Sequence, residues 1–378
     1  MEIKKVREEI DRVDDRIFDL FRERMELVKD VARAKENEGL GIRNRIRERE
    51  ILTRLGKKDE SISTYTRILY NTLFSVSKSL QTELLYDESD FVRELKGAVA
   101  NTPALFPRKG TVAVQGAEGS YSQQAAYRMF PMGEVMFFKR FENVFDAVGK
   151  GLCEFGILPI ENSSNGSVKE VYEAMKNHRF SVVRSSKQFI DHHLLAKPGA
   201  RLSDIREVIS QRQALGQCSA FLRDNPQILA EEYMDTALAA AEVAASDRMD
   251  LASISSKYCA DLYGLQALPV KVQDSENNYT RFICITKDMR IYPGSNKISL
   301  MVSAPHEPGG LYHLLARFAA LGLNITKLES RSLSGRDFEF IFYFDFEGSI
   351  DMPEVRWLLE DLRASSEHFQ LLGNYLEV

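Results

Sequence analysis

Between Ile3 and Asn37 the apolar residues Val6, Ile10, Val13, Ile17, Leu20, Phe21, Val28 and Val31 recur at steps of three and four, the spacing of one helical face, with no Gly or Pro among them. One helix roughly 50 Å long is predicted, too long for the segments that follow it to cover, so the stripe calls for a partner chain. Two positions on it are wrong for a core, because the count from Phe21 lands on Arg24 and the count from Val31 lands on Lys35. Either could snorkel, laying its stem on the stripe and its charge in water. The next two segments repeat the oddity. Asn44, Arg47 with Glu48, Ile51 and Leu55 share a face of a short helix that Gly56 closes at C′. On a third helix Tyr70, Leu73, Ser77, Gln81 and Leu84 form a stripe, so Ser77 and Gln81 stand at i and i+4 among apolar neighbours. Arg24, Lys35, Arg47, Glu48, Ser77 and Gln81 all aimed inward cost several kcal/mol unless an anion fills the space between them. The expectation is an enclosed cationic pocket for a small dicarboxylate.

The three helices end near Tyr86, and a weakly patterned stretch through Asp87, Pro103 and Pro107 is read as a connecting helix and linker. From Gly110 the period changes. Strands at Thr111–Val114, Val135–Phe138, Phe155–Ile160 and Phe180–Arg184 alternate with helices at Gln123–Phe130, Glu142–Leu152 and Val168–Asn177, which predicts an α/β layer on a mostly parallel sheet. A second set follows: Phe189–Lys197, strand Glu207–Ser210, helix Gln213–Asp224, helix Thr236–Ala245, strand Leu251–Ile254 and helix Ser256–Leu262. The strand Thr280–Thr286 is assigned back to the first set. Two lobes joined by two crossings imply a cleft between them, a usual place for a small ligand. After Pro293-Gly294-Ser295 the order is strand Lys297–Ser303, helix Leu311–Leu321, strand Asn324–Ser330, strand Phe338–Phe346, helix Met352–Arg363 and strand Phe369–Tyr375. This is the split βαββαβ unit, small enough to read as a sensor.

Composition adds limits. With 378 residues there is room for two or three domains, and 44% hydrophobic with 28% charged residues is ordinary for a globular protein. A formal charge of −5 argues against general nucleic-acid binding. Met1 leads into a charged helix with no apolar leader and no membrane-length run follows, so a cytoplasmic protein is expected. Cys153, Cys218, Cys259 and Cys284 are far apart and lack ligand spacing, so they are expected as free thiols. His192-His193 is no chelate, since adjacent strand residues face opposite ways, and no metal or other cofactor is called for.

Several motifs carry a resemblance. They are Arg24, Ala34-Lys35 and Arg47-Glu48 in the helical part; Gly116-Ala117-Glu118-Gly119-Ser120-Tyr121-Ser122, Pro159-Ile160-Glu161-Asn162-Ser163, Gln217-Cys218 and Asn278-Tyr279-Thr280-Arg281-Phe282 in the middle; and Gly309-Gly310-Leu311 with Glu329-Ser330-Arg331 at the end. The glycine-rich segment alone is weak; Glu161-Asn162 with Thr280-Arg281-Phe282 and the trailing sensor is specific. Over its whole length the chain resembles the bifunctional chorismate mutase and prephenate dehydratase family of phenylalanine biosynthesis. The resemblance implies an all-α intertwined helical dimer domain at 1–90 and a linker at 91–109. It further implies an α/β two-lobed, periplasmic-binding-protein-like dehydratase domain at 110–288, with lobes 110–186 plus 275–288 and 187–274. An α+β ferredoxin-like ACT regulatory domain at 296–378 completes it. The assembly implied is a homodimer or homotetramer.

By the same resemblance, Arg7 of the partner chain and Arg24 bind the two chorismate carboxylates, Lys35 and Gln81 donate to the ether oxygen, and Asn44, Arg47, Glu48 and Ser77 frame the ring and its hydroxyl. A Claisen rearrangement is unimolecular. It needs only a held conformer and donors where the breaking C–O bond gathers charge, so a pocket of cations and amides suits it. Where the family usually has Asp this chain has Asn44, which implies a weakened mutase. Prephenate loses CO2 and a poor leaving group, hydroxide, so a proton donor has to meet it. The resemblance gives this role to Thr280, near Glu161, Asn162, Ser163, Ser210, Gln217 and Arg281, with Ser120 opening a helix that faces a carboxylate. Taken alone, Ser120 and Ser122 read as N-cap residues and Thr280 as a β-branched strand residue. Ser210-Gln211-Arg212-Gln213 stands where the family commonly reads Ser-His-Pro-Gln. Gly309, Gly310, Leu311, Glu329, Ser330 and Arg331 are implied to bind phenylalanine as feedback inhibitor, although Ser332 replaces the usual proline. Their plainer reading is a turn and a surface ion pair. The alternatives are a two-lobed binding protein without chemistry, a dehydratase whose helical part is only a dimerisation arm, and arogenate as preferred substrate.

Overall fold

The computed structural model describes residues 3–378 apart from 43, 87–88, 305, 307 and 333–339. The uninterrupted amphipathic stretch forms α1 (Ile3–Glu38). The second helix, α2 (Arg45–Gly56), starts at Asn44 and ends on Gly56, with Lys57 capping in the right-handed region, so the expected left-handed glycine stop is not used. Next come α3 (Ser63–Tyr86) and the connecting helix α4 (Asp90–Asn101); Asp87 lies outside the described residues. Val28 and Ala32 of α1 and Phe74 of α3 are buried. Ahead of them Ile10, Val13, Ile17 and Leu20 stay exposed, so the N-terminal half of the stripe is uncovered within one chain.

From Thr111 the alternation appears as β1 (Thr111–Gln115), α5 (Tyr121–Met129), β2 (Glu134–Phe138), α6 (Phe141–Gly149), β3 (Phe155–Asn162), a short β4 (Gly166–Ser167), α7 (Lys169–Met175) and β5 (Ser181–Phe189). The second set is β6 (His192–Ala196), β7 (Glu207–Ser210), α8 (Arg212–Gly216), α9 (Ser219–Asp224), β8 (Leu229–Glu232), α10 (Thr236–Ala245), β9 (Leu251–Ser256), α11 (Lys257–Tyr263) and β10 (Gln266–Ala267), before the return strand β11 (Tyr279–Thr286). Two sheets result, ordered β5-β11-β3-β1-β2 and β10-β6-β9-β7-β8. β11, assigned from sequence to the first set, inserts there between β3 and β5.

Three features depart from expectation. The sheets are mixed, not mostly parallel: β1 is parallel to β2 and β3, but β11, re-entering from the second lobe, runs antiparallel to β3 and β5. In the other lobe β7 is parallel to β8 and β9 while β6 is antiparallel to β9. The exposed edge strand β8 had no apolar alternation to betray it. The helix expected over Gln213–Asp224 is two helices broken at Gln217-Cys218. Asp274 holds that break, accepting from the backbone N–H groups of Ser219 and Ala220, both at 3.0 Å, while its own N–H donates to Gln217 O at 2.8 Å.

The last part runs β12 (Lys297–Ser303), α12 (Gly310–Ala320), β13 (Ile325–Ser332), β14 (Phe340–Glu347), α13 (Pro353–Ser365) and β15 (Phe369–Glu377), with strand order β13-β14-β12-β15. Phe338 lies outside the described residues. The chain divides into two compact units: residues 1–100 with 298–371, and 101–297 with 372–378. No helix among the described residues is long and apolar enough to cross a membrane.

Candidate active sites

In the first unit, Arg24 and Lys35 turn toward α3. The Arg24 guanidinium donates to Ser77 Oγ and reaches Leu73 O at 3.5 Å. The Lys35 ammonium donates to Ile42 O and, at 3.1 Å, to Gln81 Oε1. Gln81 Nε2 in turn donates to Ser77 O at 3.1 Å, tying the two polar residues of the third stripe together, and both are buried. Burial holds both cations below their ordinary pKa values; at Lys35 the Glu48 charge opposes this and the Lys78 charge adds to it. Glu48 pairs with Lys78 at 3.1 Å. Two cations, an amide and a hydroxyl are thus bonded together along one face of α3.

Other residues of that set sit elsewhere. Asn44 is occupied as the N-cap of α2, its Oδ1 accepting from Arg47 N at 3.0 Å. The Arg47 guanidinium pairs with Glu50 on the exposed face. Arg7 is exposed, and seventeen residues of straight helix set it about 25 Å from Arg24 along α1. An Arg7 that reaches this pocket therefore belongs to another chain.

In the second unit, the antiparallel register of β3 and β11 puts Asn162 opposite Thr280. Asn162 Oδ1 accepts from the backbone N–H groups of Ser164 and Asn165, both at 3.0 Å, which fixes which end of the amide is oxygen. Its Nδ2 is therefore a donor, to Thr280 Oγ1 at 3.0 Å and Asn278 Oδ1 at 2.8 Å. Since Thr280 Oγ1 accepts in that bond, its own hydrogen is left to donate to another group. From the other lobe, the break between α8 and α9 aims Gln217 across: Nε2 donates to Asn162 Oδ1 at 3.2 Å, and Oε1 accepts from Asn278 Nδ2 at 2.9 Å. His192 Nε2 lies 2.9 Å from the same Oε1. Burial lowers the His192 pKa, with the Gln217 bond and Asp191 opposing. His192 and Asn278 were missing from the candidates read from sequence; Asn278 opens the motif that holds Thr280, and His192 enters the sequence reading only as a residue that cannot chelate together with His193.

The remaining candidates are dispersed. The alternation along β3 and β11 puts Glu161 and Arg281 on the face opposite Asn162 and Thr280. Arg281 instead lies 3.9 Å from Glu377 at the end of β15, where Lys297 at 2.9 Å and Lys187 at 3.2 Å join it. Burial raises the Glu377 pKa, but these three cations outweigh it and hold the carboxyl below its usual range. Ser210 donates to Ile254 O inside its own lobe, and Ser163 donates to Asn277 O at 2.9 Å. Ser120 caps α5, accepting from Gln123 N. Its glycine-rich approach presses on the second lobe: Cys259 Sγ donates to Gly119 O at 3.3 Å, Tyr263 donates to Glu118 O at 2.6 Å, and a Cβ on Gly119, which has φ +96°, would lie 2.7 Å from Cys259 Sγ. Closeness of the lobes accounts for the glycine there.

Of the residues that the resemblance assigns to a sensor, Gly309 caps α12 at φ +83°, Gly310 opens that helix and Leu311 follows it. Glu329 and Arg331 share one face of β13 and pair at 2.8 Å, with Ser330 on the other face. A cavity of about 520 Å³ in the first unit is bordered by Glu48 and Lys78 and by Gly310, His313 and Arg317.

Comparison with known proteins bears on both pockets. The family model described as prephenate dehydratase matches residues 112–290, and that described as chorismate mutase type II matches residues 6–82. The chain is 35% identical over 276 residues to arogenate dehydratase/prephenate dehydratase 2 of Arabidopsis thaliana chloroplasts, spanning 70% of this chain and 72% of that protein. It is 28% identical over 379 residues to the bifunctional chorismate mutase/prephenate dehydratase of Escherichia coli K12, covering 98% and 95%. Among solved structures, the prephenate dehydratase of Arthrobacter aurescens in complex with L-Phe is 25% identical with a TM-score of 0.64, over 70% of this chain and 89% of that one.

Proposed function

The chain belongs to the prephenate dehydratase family and carries a chorismate mutase type II region ahead of it, and from that premise we propose that it converts chorismate to prephenate and prephenate to phenylpyruvate, under feedback by phenylalanine. The observation that carries the residue assignment is the bond from Asn162 Nδ2 to Thr280 Oγ1, which leaves the threonine hydrogen to the leaving hydroxyl.

In the mutase step, Arg24 holds a carboxylate of the dianion while Lys35 and Gln81 attend the ether oxygen. The Lys35 ammonium stabilises charge as the C–O bond breaks; Gln81 Nε2 has to leave Ser77 O, or the amide turn over, to donate as well. Arg7 is assigned to the partner chain, together with a homodimer that covers the exposed half of the α1 stripe. Replacing both Ile17 and Leu20 by Glu is expected to give a monomer in sedimentation with mutase turnover lost and dehydratase turnover kept; a dimer that persists counts against this interface.

In the dehydratase step, the ring C–C bond to the carboxylate breaks to release CO2, its electron pair aromatises the ring, and the hydroxyl leaves as water by taking a proton presented at Thr280 Oγ1, which solvent then reprotonates. Asn162 fixes that oxygen and Gln217 braces Asn162; Ser120, Glu161, Ser163, Ser210 and Arg281 are assigned no contact with it. The βαββαβ segment is read as an ACT module in which Gly309, Gly310, Leu311, Glu329, Ser330 and Arg331 receive phenylalanine; the strand order β13-β14-β12-β15 and the L-Phe complex of the Arthrobacter relative support this. Feedback then shifts the population toward a less active state.

The test is to incubate the full chain with chorismate and follow prephenate and phenylpyruvate separately, with and without millimolar phenylalanine. Both products appear and phenylalanine suppresses the second; absence of either product removes the corresponding activity. Arogenate is the second candidate substrate because the Arabidopsis relative is named for both acids, and phenylalanine formed from arogenate faster than phenylpyruvate from prephenate would favour it.

A further inference from the structure

His192 is 5% exposed and lies at the start of β6, away from Thr280 in sequence. Its protonation state follows from the bonds around it. The backbone N–H groups of Ser164 and Asn165 make Asn162 Oδ1 an acceptor, so the Gln217 nitrogen that meets it is a donor, so the other end of the Gln217 side chain is oxygen. That oxygen also accepts from Asn278 Nδ2. The His192 nitrogen 2.9 Å away therefore has to carry hydrogen on Nε2. Nδ1 is buried with no hydrogen-bond partner, a place that tolerates a bare lone pair better than an N–H. The ring packs against Tyr121 in a T-shaped contact with centroids 5.9 Å apart, and the residue's backbone is anchored by its N–H donating to Gln273 Oε1 at 2.9 Å.

We propose that His192 is a positioning residue of the dehydratase site, its neutral Nε2–H tautomer fixing the Gln217 amide that in turn orients Asn162 against Thr280. The series His192, Gln217, Asn162, Thr280 is three consecutive hydrogen bonds long and passes from one lobe to the other. Without the imidazole donor, Gln217 Oε1 keeps Asn278 alone. The side chain then gains freedom to turn, and the amide that presents Thr280 loses a fixed neighbour. His192 touches no substrate in this scheme; it acts on turnover by holding the donor in line.

The inference rests on the dehydratase reading above, and its test separates the two. Full-length wild type, His192→Phe and His192→Gln are assayed on prephenate, with mutase turnover of the same preparations reporting a folded chain. His192→Phe keeps ring bulk without a donor and is expected to lose about tenfold in kcat, the size of one lost hydrogen bond. KM stays within about twofold, since an interaction felt only in turnover is removed. His192→Gln, which restores an N–H donor, regains most of that loss. A His192→Phe chain with wild-type kcat, or one whose KM rises as kcat falls and which Gln does not rescue, overturns the proposal. A wild-type chain inert to prephenate instead overturns the dehydratase reading. Should His192→Phe not fold, nitrogen-15 correlation spectra of wild type decide: hydrogen on Nε2 with bare Nδ1 at about pH 7 is required, and the opposite tautomer or an imidazolium overturns the proposal.

Discussion

Thr280→Ala is expected to lower dehydratase turnover at least a hundredfold while mutase turnover stays at wild type. A positioned proton donor is worth about 10²–10⁴ in rate, and the alternative, loss of the fold, is disfavoured by the bonds that survive. Asn162 Nδ2 keeps Asn278 Oδ1 and Tyr279 O as acceptors when the hydroxyl goes, so the stability cost is on the order of 1 kcal/mol. Thr280→Ser, which keeps the hydroxyl, retains a large part of the rate. Steady-state kinetics on prephenate, with mutase assays in parallel, measures this, and a Thr280→Ala chain that turns over normally shows that the proton comes from elsewhere.

The second large effect is at Lys35. Lys35→Ala is expected to reduce mutase turnover by about 10²–10³, the usual loss when a donor aimed at developing charge is removed, with dehydratase turnover unchanged. Its ammonium is already aimed, bonded to Ile42 O and Gln81 Oε1, so little reorganisation is needed when the ether oxygen becomes electron-rich. The sign of its pH dependence is fixed as well. Because burial lowers the Lys35 pKa and the useful form is the cation, mutase turnover falls with rising pH earlier than an ordinary lysine would dictate. Disappearance of chorismate followed across alkaline pH reads both. Full mutase activity in Lys35→Ala would place the pocket elsewhere.

What could be read in the sequence followed from periodicity. The α1 stripe, its two cations and the inward Ser77 and Gln81 were visible because a helix fixes which residues share a face. The return of β11 to the first lobe was assigned from the order of elements, and α10 was placed to the residue. What escaped were features set by tertiary contact. The break at Gln217-Cys218 is imposed by Asp274, distant in sequence, and only Gly216 hinted at a stop. Asn44, assigned from the sequence to the pocket, also caps α2 through its Oδ1, a role set by its place one position before an amphipathic turn. Glu161 and Arg281 adjoin Asn162 and Thr280 in the chain but alternate to the other face of the ladder. His192 escapes a sequence reading as well, because its alternation from His193 excludes only a shared metal, while its bond to Gln217 depends on the path of α8, which the sequence does not disclose.

The contact of Cys259 with the glycine-rich loop gives lobe separation a chemical clock. Burial keeps that thiol protonated and out of reach of reagents while its sulfur rests on Gly119 O. Parting Glu118 and Gly119 from α11 uncovers the sulfur, so the rate at which an alkylating probe labels Cys259 reports the fraction of time the two lobes stand apart.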